Sequence, residues 1–173
     1  HGGVDASLTL YIQHLCYLNA VPKAPPKSSA SSVKSTHSST KTDSRTRREQ
    51  LEAIHGDDII DLDMPPLDPA DLGAVYLNML FEAGPVMSGG MGATALSWQE
   101  LDAWSTRTNQ PLDPDEYRLL KRLSGVYANA SHTMTEHDAK SPWLEQLAEH
   151  HARKQDAIKA AFSRMARLAK RRP

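Results

Sequence analysis

Any chemistry in this chain would have to come from eight histidines, one cysteine and a run of closely spaced carboxylates. Histidines hold zinc when they stand one helical turn apart, as in H-E-x-x-H, or when they share a site with cysteines. Here His132 and His137 are five positions apart and His150 and His151 are adjacent. Neighbours on a helix point about 100° apart, so that pair does not chelate one ion. The histidines read as surface residues. Asp57, Asp58, Asp61 and Asp63 have the density of a calcium loop, but DDIIDLD lacks the loop's glycine and its closing bidentate Glu. A solvated acidic strip is the better reading. No serine sits in a G-x-S-x-G elbow, and Cys16 falls on the apolar side of a helical pattern, which makes it a buried thiol rather than a nucleophile. The segment Gly84 to Thr94, GPVMSGGMGAT, has four glycines in eleven residues but neither phosphate-loop nor dinucleotide spacing. No catalytic set, metal site or cofactor cradle emerges, and the chain reads as a non-enzyme.

The elements that would position any functional side chain are helical. Ser97-Trp98-Gln99-Glu100 has the S-x-x-E form of a capping box, and Leu96, Trp98, Leu101 and Trp104 then follow at helical spacing. Pro111 stops that helix by disfavouring helical geometry at the residue before it. Asp113, Pro114, Asp115 and Glu116 open the next, with Asp as N-cap, Pro at the first position and acids facing the positive end of the dipole. Tyr117, Leu120, Leu123, Ser124 and Tyr127 form its buried face, with Lys121 and Arg122 on the wet side. A helical hairpin over 97–130 is predicted. Upstream, Asp5 to Ala20 reads as a helix with Leu8, Ile12, Leu15 and Cys16 on one side, short enough that it must dock. Asp68-Pro69 starts another that runs to Ala83 with Leu72, Val75, Tyr76, Met79 and Leu80 as its apolar face. Gly84 to Thr94 reads as a mobile connection, and His132 to Lys140 as a polar loop. From Ser141-Pro142 a last helix carries Leu144, Leu147, Ile158, Phe162, Met165 and Leu168 in a broken stripe.

Composition divides the chain. Apolar residues make up 39%, below the roughly 45–50% of an average globular domain, so only part of the chain builds a core. The organisation expected is all-α. A docking helix occupies 1–21, whether on this chain or on an upstream module. A linker covers 22–67, with a helical turn at most over 44–54. A module of about three helices fills 68–133, and a basic helix 141–173. Lys23 to Arg48 carries seven basic residues and one acid, Glu49 to Asp71 eight acids and no Lys or Arg, and Arg153 to Arg172 eight basic residues and one acid. Val21 to Asp43 is low-complexity, Pro, Ser, Thr and Lys with almost no apolar residues, the composition of a solvated, flexible tether. Such segregation suits electrostatic contact between segments or with partners. The single cysteine suits a reducing cytoplasm, and no apolar run approaches the roughly 18 residues of a membrane span. The chain opens at His1 without Met, which fits either a fragment or the downstream part of a longer product.

Two functional classes compete. Helix-turn-helix proportions over 97–130 and two basic segments suit a nucleic-acid binder. Against that, three acids stand where a recognition helix should meet phosphates. The other class is a protein-binding assembly factor. Its partner-facing candidates are Trp98, Trp104 and Tyr117 in the hairpin, Met87 and Met91 in the glycine-rich segment, and Ile158, Phe162, Arg164, Met165 and Arg167 in the last helix.

The run from Asp68 to Ala130 joins a helix, G-P, a glycine-rich M-G, L-S-W-x-E-L-x-A-W, a polar turn, L-x-P-x-E and L-L-K-R-L-S-x-x-Y. It resembles small proteins of the tail-gene clusters of long-tailed bacteriophages, encoded between the major tail protein and the tape-measure protein. Tail assembly chaperones are encoded there, often with a downstream portion made by ribosomal frameshifting. The resemblance implies a non-catalytic chaperone with no cofactor. Its partners would be the tape-measure protein and tail-tube subunits. It would work in the host cytoplasm and be absent from the finished virion. The basic tail and the tether lie outside the resemblance.

Overall fold

The computed structural model describes residues 2–24, 44–55, 64–67, 72–90, 92–143, 158–159 and 162–164. Their longest capped helix, α5 (Pro114–Thr133), is the spine of the molecule. Asp113 Oδ1 accepts hydrogen bonds from the Asp115 and Glu116 amides at 2.8 and 2.9 Å, and Glu116 Oε2 accepts from the Asp113 amide at 2.9 Å. With Pro114 at the first turn, this is the predicted start, and such a cap stabilises a helix by about 1 kcal/mol. The helix outruns its predicted end. It continues to Thr133 before turning at Met134, so the expected loop begins two residues later.

α1 (Gly2–Asn19) lies along α5. Ion pairs at 2.6 Å tie Asp5 near the start of α1 to Arg122 near the middle of α5, and Lys23 to Glu136 past the ends of both, so the two helices run in the same direction. Leu8, Ile12 and Cys16 enter the core as expected, and the docking partner of α1 is this chain. Its opposite side is covered as well. His14 is buried, with Ser141 Oγ 3.2 Å from its Nδ1, and Leu18 and Trp143 are buried too. That corrects the reading of every histidine as a surface residue, because the segment after α5 folds back over α1.

The expected linker contains α2 (Arg47–His55). Thr46 and Glu49 form the reciprocal bonds of a T-x-x-E box: Thr46 N–H donates to Glu49 Oε2 at 2.7 Å and the Glu49 amide donates to Thr46 Oγ1 at 3.3 Å. Arg47 anchors the helix. Its guanidinium lies 4.7 Å from the Tyr17 ring centre and donates to the carbonyls of Met134 and Glu136, the latter at 2.6 Å. Its amide donates to Ala20 O at 2.9 Å. Burial lowers the Arg47 pKa from its ordinary value, an effect partly offset by Tyr17. Most of the remaining tether lies outside the described residues, although Pro65 is buried and Leu67 packs against the core.

α3 (Gly73–Ala83) begins after Leu72, which takes a left-handed conformation at φ 53°, so the helix does not start at Asp68-Pro69; those two residues lie outside the described ones. A Cβ on Gly73 would stand 3.4 Å from Leu8 and 3.7 Å from Leu67, which marks a close approach to α1. The helix is apolar on most sides, and packing rather than periodicity selects its inner stripe. Gly73, Leu77 and Leu80 face inward, while Leu72 and Val75, expected inside, are exposed. Gly84, at φ 84°, ends it.

The glycine-rich connection is ordered. β1 (Met87–Gly89) and β2 (Gly92–Thr94) pair antiparallel, Met87 opposite Thr94 and Gly89 opposite Gly92. A Cβ on Gly89 would come within 2.7 Å of the Thr94 methyl and 2.9 Å of Gly92 O, so that glycine permits the pairing. Ser124, fully buried on α5, holds both ends of the hairpin. Its hydroxyl donates to Pro85 O at 2.7 Å and accepts from the Leu96 amide at 2.7 Å. α4 (Trp98–Thr108) then runs back against α5. Ser97 Oγ accepts from the Glu100 amide at 3.1 Å, half of the expected box. Asn109 closes the helix in a left-handed conformation that this residue type tolerates, two residues before Pro111. The core joins Leu8 and Ile12 of α1, Leu77 and Leu80 of α3, Leu96 before α4, Leu101 of α4, and Leu120 and Leu123 of α5. The class is all-α, as expected: α3, α4 and α5 are the three helices of the module over 68–133, and α1 docks on them.

Candidate functional site: an open groove between α4 and α5

Trp98 lies at the first position of α4 and keeps 49% of its surface exposed. It lines an open groove of about 590 Å³ with Gln99 and Asp102 of α4 and with Pro114, Tyr117 and Arg118 of α5. Spacing explains the set. Residues 98, 99 and 102 share one patch of a helix, as do 114, 117 and 118, and the turn at 109–113 sets the two patches side by side. Two cross-contacts fix the alignment. Lys121 Nζ lies 5.4 Å from the Trp98 ring centre while donating to Leu96 O at 2.7 Å, and Tyr117 Oη donates to Asp102 Oδ1 at 3.4 Å.

The charges are nearly balanced: Glu100, Asp102, Asp113, Asp115 and Glu116 lie on this hairpin against Arg107, Arg118, Lys121 and Arg122, with Asp102 and Arg118 in the groove itself. Arg118 pairs with Asp115 at 2.6 Å, but both side chains are largely exposed, so water screens that pair and it adds little stability. Glu116 also accepts from Tyr76 Oη at 3.5 Å. Burial first, then the Glu116 and Asp113 charges, raise the Tyr76 pKa above its ordinary value. Asp102 receives only the long Tyr117 bond among the described residues. An exposed indole, a phenol and an under-engaged carboxylate suit a partner that brings apolar surface with positive charge.

The structure separates the sequence candidates. Trp98 and Tyr117 meet in the groove. Trp104 does not: it is 9% exposed and belongs to the core, because positions 101, 104 and 105 carry the inner face of α4. Trp98, expected on that stripe, falls outside it. Met87 is half-buried on β1 against the core. Ile158 and Phe162 are helical and exposed, at 48% and 64%, and Arg164 is helical and exposed beside them. Met91, Met165 and Arg167 lie outside the described residues. Sequence reading missed Gln99, Asp102, Pro114 and Arg118, and placed Lys121 in water although it folds over Trp98. Polar residues at i, i+3 and i+4 on the outer side of each helix were the available signal.

The described residues contain no cluster of three His, Cys, Asp or Glu side chains arranged to hold a metal. Cys16 is buried, and burial pushes its thiol up to about 11, far from the range of a reactive thiolate. None of the described helices is long and apolar enough to cross a membrane. Comparison with protein-family models, curated proteins and solved structures finds no match to this chain.

Proposed function

We propose that this chain is a non-catalytic protein-binding factor, and that it serves phage tail assembly as a chaperone for the tape-measure protein and tail-tube subunits. The observation that carries the binding reading is the Trp98–Tyr117 groove, where a large indole stays half exposed beside an available carboxylate. Burying such an aromatic anchor is a common source of binding energy. The specific clientele rests on the resemblance of residues 68–130 to the tail-cluster proteins. The exposed Ile158 and Phe162, in a sequence segment rich in Lys and Arg, would supply a second contact, suited to acidic-apolar helical segments of a client. Two surfaces on one chain raise the effective concentration of two clients for each other. In this reading the protein acts in the host cytoplasm and leaves before the virion is complete.

The test is co-purification of the full chain with the tube subunit and with the tape-measure protein encoded beside it. Trp98→Ala should lower tube-subunit capture at least about tenfold, the scale of a lost anchor, and leave tape-measure capture unchanged. Undiminished tube capture by the variant would refute this use of the groove. If the chain instead retained duplex DNA, with affinity falling steeply in salt, the nucleic-acid alternative would replace the chaperone reading. The carboxylates of Asp113, Asp115 and Glu116 at the start of α5 oppose that outcome.

A further inference from the structure

The polar side chains of the groove bear on what kind of backbone enters it. Trp98, Tyr117 and Pro114 give it three flat, rigid surfaces, and Gln99, Asp102 and Arg118 complete the lining. Its cations are already engaged: Arg118 pairs with Asp115 at 2.6 Å, and Lys121, over the indole, donates to Leu96 O at 2.7 Å. Asp102 receives only the Tyr117 hydroxyl at 3.4 Å, so the lining charge left for a partner is one carboxylate. Among the described residues, the Trp98 indole N–H and the Gln99 amide make no hydrogen bond. The groove thus offers free donors beside aromatic faces. A helix cannot use them along its length, because its carbonyls are bonded within the helix. Proline-rich chain can. Its polyproline II backbone makes no internal hydrogen bonds, and each proline carries a carbonyl but no N–H. Such a strand is acceptor-rich and already rigid, and it docks in aromatic-lined grooves at little cost in freedom. The open volume of about 590 Å³ lies in the ~300–1,000 Å³ range of sites that take a small ligand, the bulk of a few residues.

We propose that the groove recognises an extended, proline-rich segment of a protein partner, with one Lys or Arg beside the prolines. The prolines pack on Trp98, Tyr117 and Pro114, their carbonyls accept from Trp98 Nε1 and Gln99 Nε2, and the cation reaches Asp102. Three residues make one turn of polyproline II, so prolines at i and i+3 return to the same wall and the motif is P-x-x-P with a flanking cation. A single cation matches the single carboxylate that lacks a counter-ion, and a strongly charged segment of either sign does not. The inference rests on the reading of the groove as a protein-binding site, and it adds the conformation and chemistry of what enters.

Tryptophan fluorescence of the full chain, titrated with three peptides of equal length, tests this. The first repeats Pro-Ala-Gln and ends in Lys, the second has Ala for every Pro and so favours helix, and the third has Glu for the Lys. The first should shift emission to the blue and saturate, because Trp98 is the exposed tryptophan while Trp104 and Trp143 are already buried. The alanine peptide should bind at least about tenfold more weakly, the scale of lost anchor contacts. The Glu peptide should bind up to about fivefold more weakly, as for one exposed ion pair, and Asp102→Asn should erase that difference. With the first peptide labelled and read by anisotropy, Trp98→Ala should lose at least about tenfold in affinity. Trp98→Phe, which keeps a ring but not the donor, should fall between, and circular dichroism verifies both folds. No shift with the proline peptide at millimolar concentration would overturn the proposal, as would equal binding of the alanine peptide. A larger shift with single-stranded oligothymidine would overturn it in favour of base stacking. Tube-subunit capture that needs Trp98 yet resists excess proline peptide would overturn it and leave the proposed function standing. Peptide binding without tube-subunit capture would uphold it and refute that client.

Discussion

Replacing Ser124 by Ala removes one oxygen atom and opens both ends of the β hairpin at once. The hydroxyl is fully buried and makes two bonds of 2.7 Å, one to Pro85 O before β1 and one from the Leu96 amide after β2. Leu96 is itself 3% exposed, so its stranded N–H has little access to water, and such a buried donor costs about 1–3 kcal/mol. Pro85 is less buried, so water partly replaces the lost donor there and the cost is nearer about 1 kcal/mol. The sum is about 2–4 kcal/mol, or a fall in melting temperature of about 5–15 °C for a domain of this size. Urea unfolding followed by circular dichroism measures it, and amide exchange at β1 and β2 reads the local opening. Ser131→Ala is the control: its hydroxyl donates to Ala128 O at 2.9 Å within the same helix, where the backbone keeps its own bonds. A loss for Ser124→Ala no larger than for Ser131→Ala would refute the clamp.

Arg47→Met keeps most of the side chain's length but removes both donors to the 134 and 136 carbonyls and the charge over Tyr17. A loss of about 2–3 kcal/mol is expected from charged hydrogen bonds of this kind. Amide exchange over α2 should rise towards that of a free peptide, since nine residues are too few to hold a helix alone; unchanged protection would show that α2 is held by something else. Cys16 makes stability fall at alkaline pH. Its thiol pKa is about 11 in the fold against a reference value of 9.0, so the neutral form favours folding. That contribution is fully present below about 9 and is lost as pH rises to about 11. The loss is about 1–2 kcal/mol after allowance for screening. Tyr127, raised by burial and then by Cys16, adds in the same direction. Cys16→Ala should flatten this part of the stability profile, and an equally steep fall in the variant would refute the assignment.

Local chemistry was legible and long-range packing was not. The Asp113-Pro114-x-Glu116 start of α5 needs only neighbours along the chain, and it forms as read. The Thr46-x-x-Glu49 box before α2 has the same grammar, yet composition concealed its strength, because the run of Ser, Thr and Lys before it suggested a tether with a helical turn at most over 44–54. α3 shows the limit of periodicity. With Leu72, Val75, Tyr76, Leu77, Met79, Leu80 and Phe81 in one helix, a pattern of apolar positions does not choose a face. The choice comes from Leu8 and Leu67 closing on Gly73. His14 became buried through Ser141, 127 positions away, a distance over which no local motif carries information.

The groove follows from the same division. A stripe of Leu96, Trp98, Leu101 and Trp104 suggested two equivalent tryptophans, but the six-residue step between them is not a whole number of turns. One indole must then leave the face that the other defines. Leu101 and Trp104 are held inward by the core, which turns Trp98 towards the solvent seam with α5. Lys121 covers part of its ring while its ammonium is engaged by Leu96 O, so the indole is held in place although half exposed. An anchor that is already ordered loses little side-chain freedom on binding. The feature that failed as a core prediction is, for that physical reason, the strongest candidate for contact with a partner.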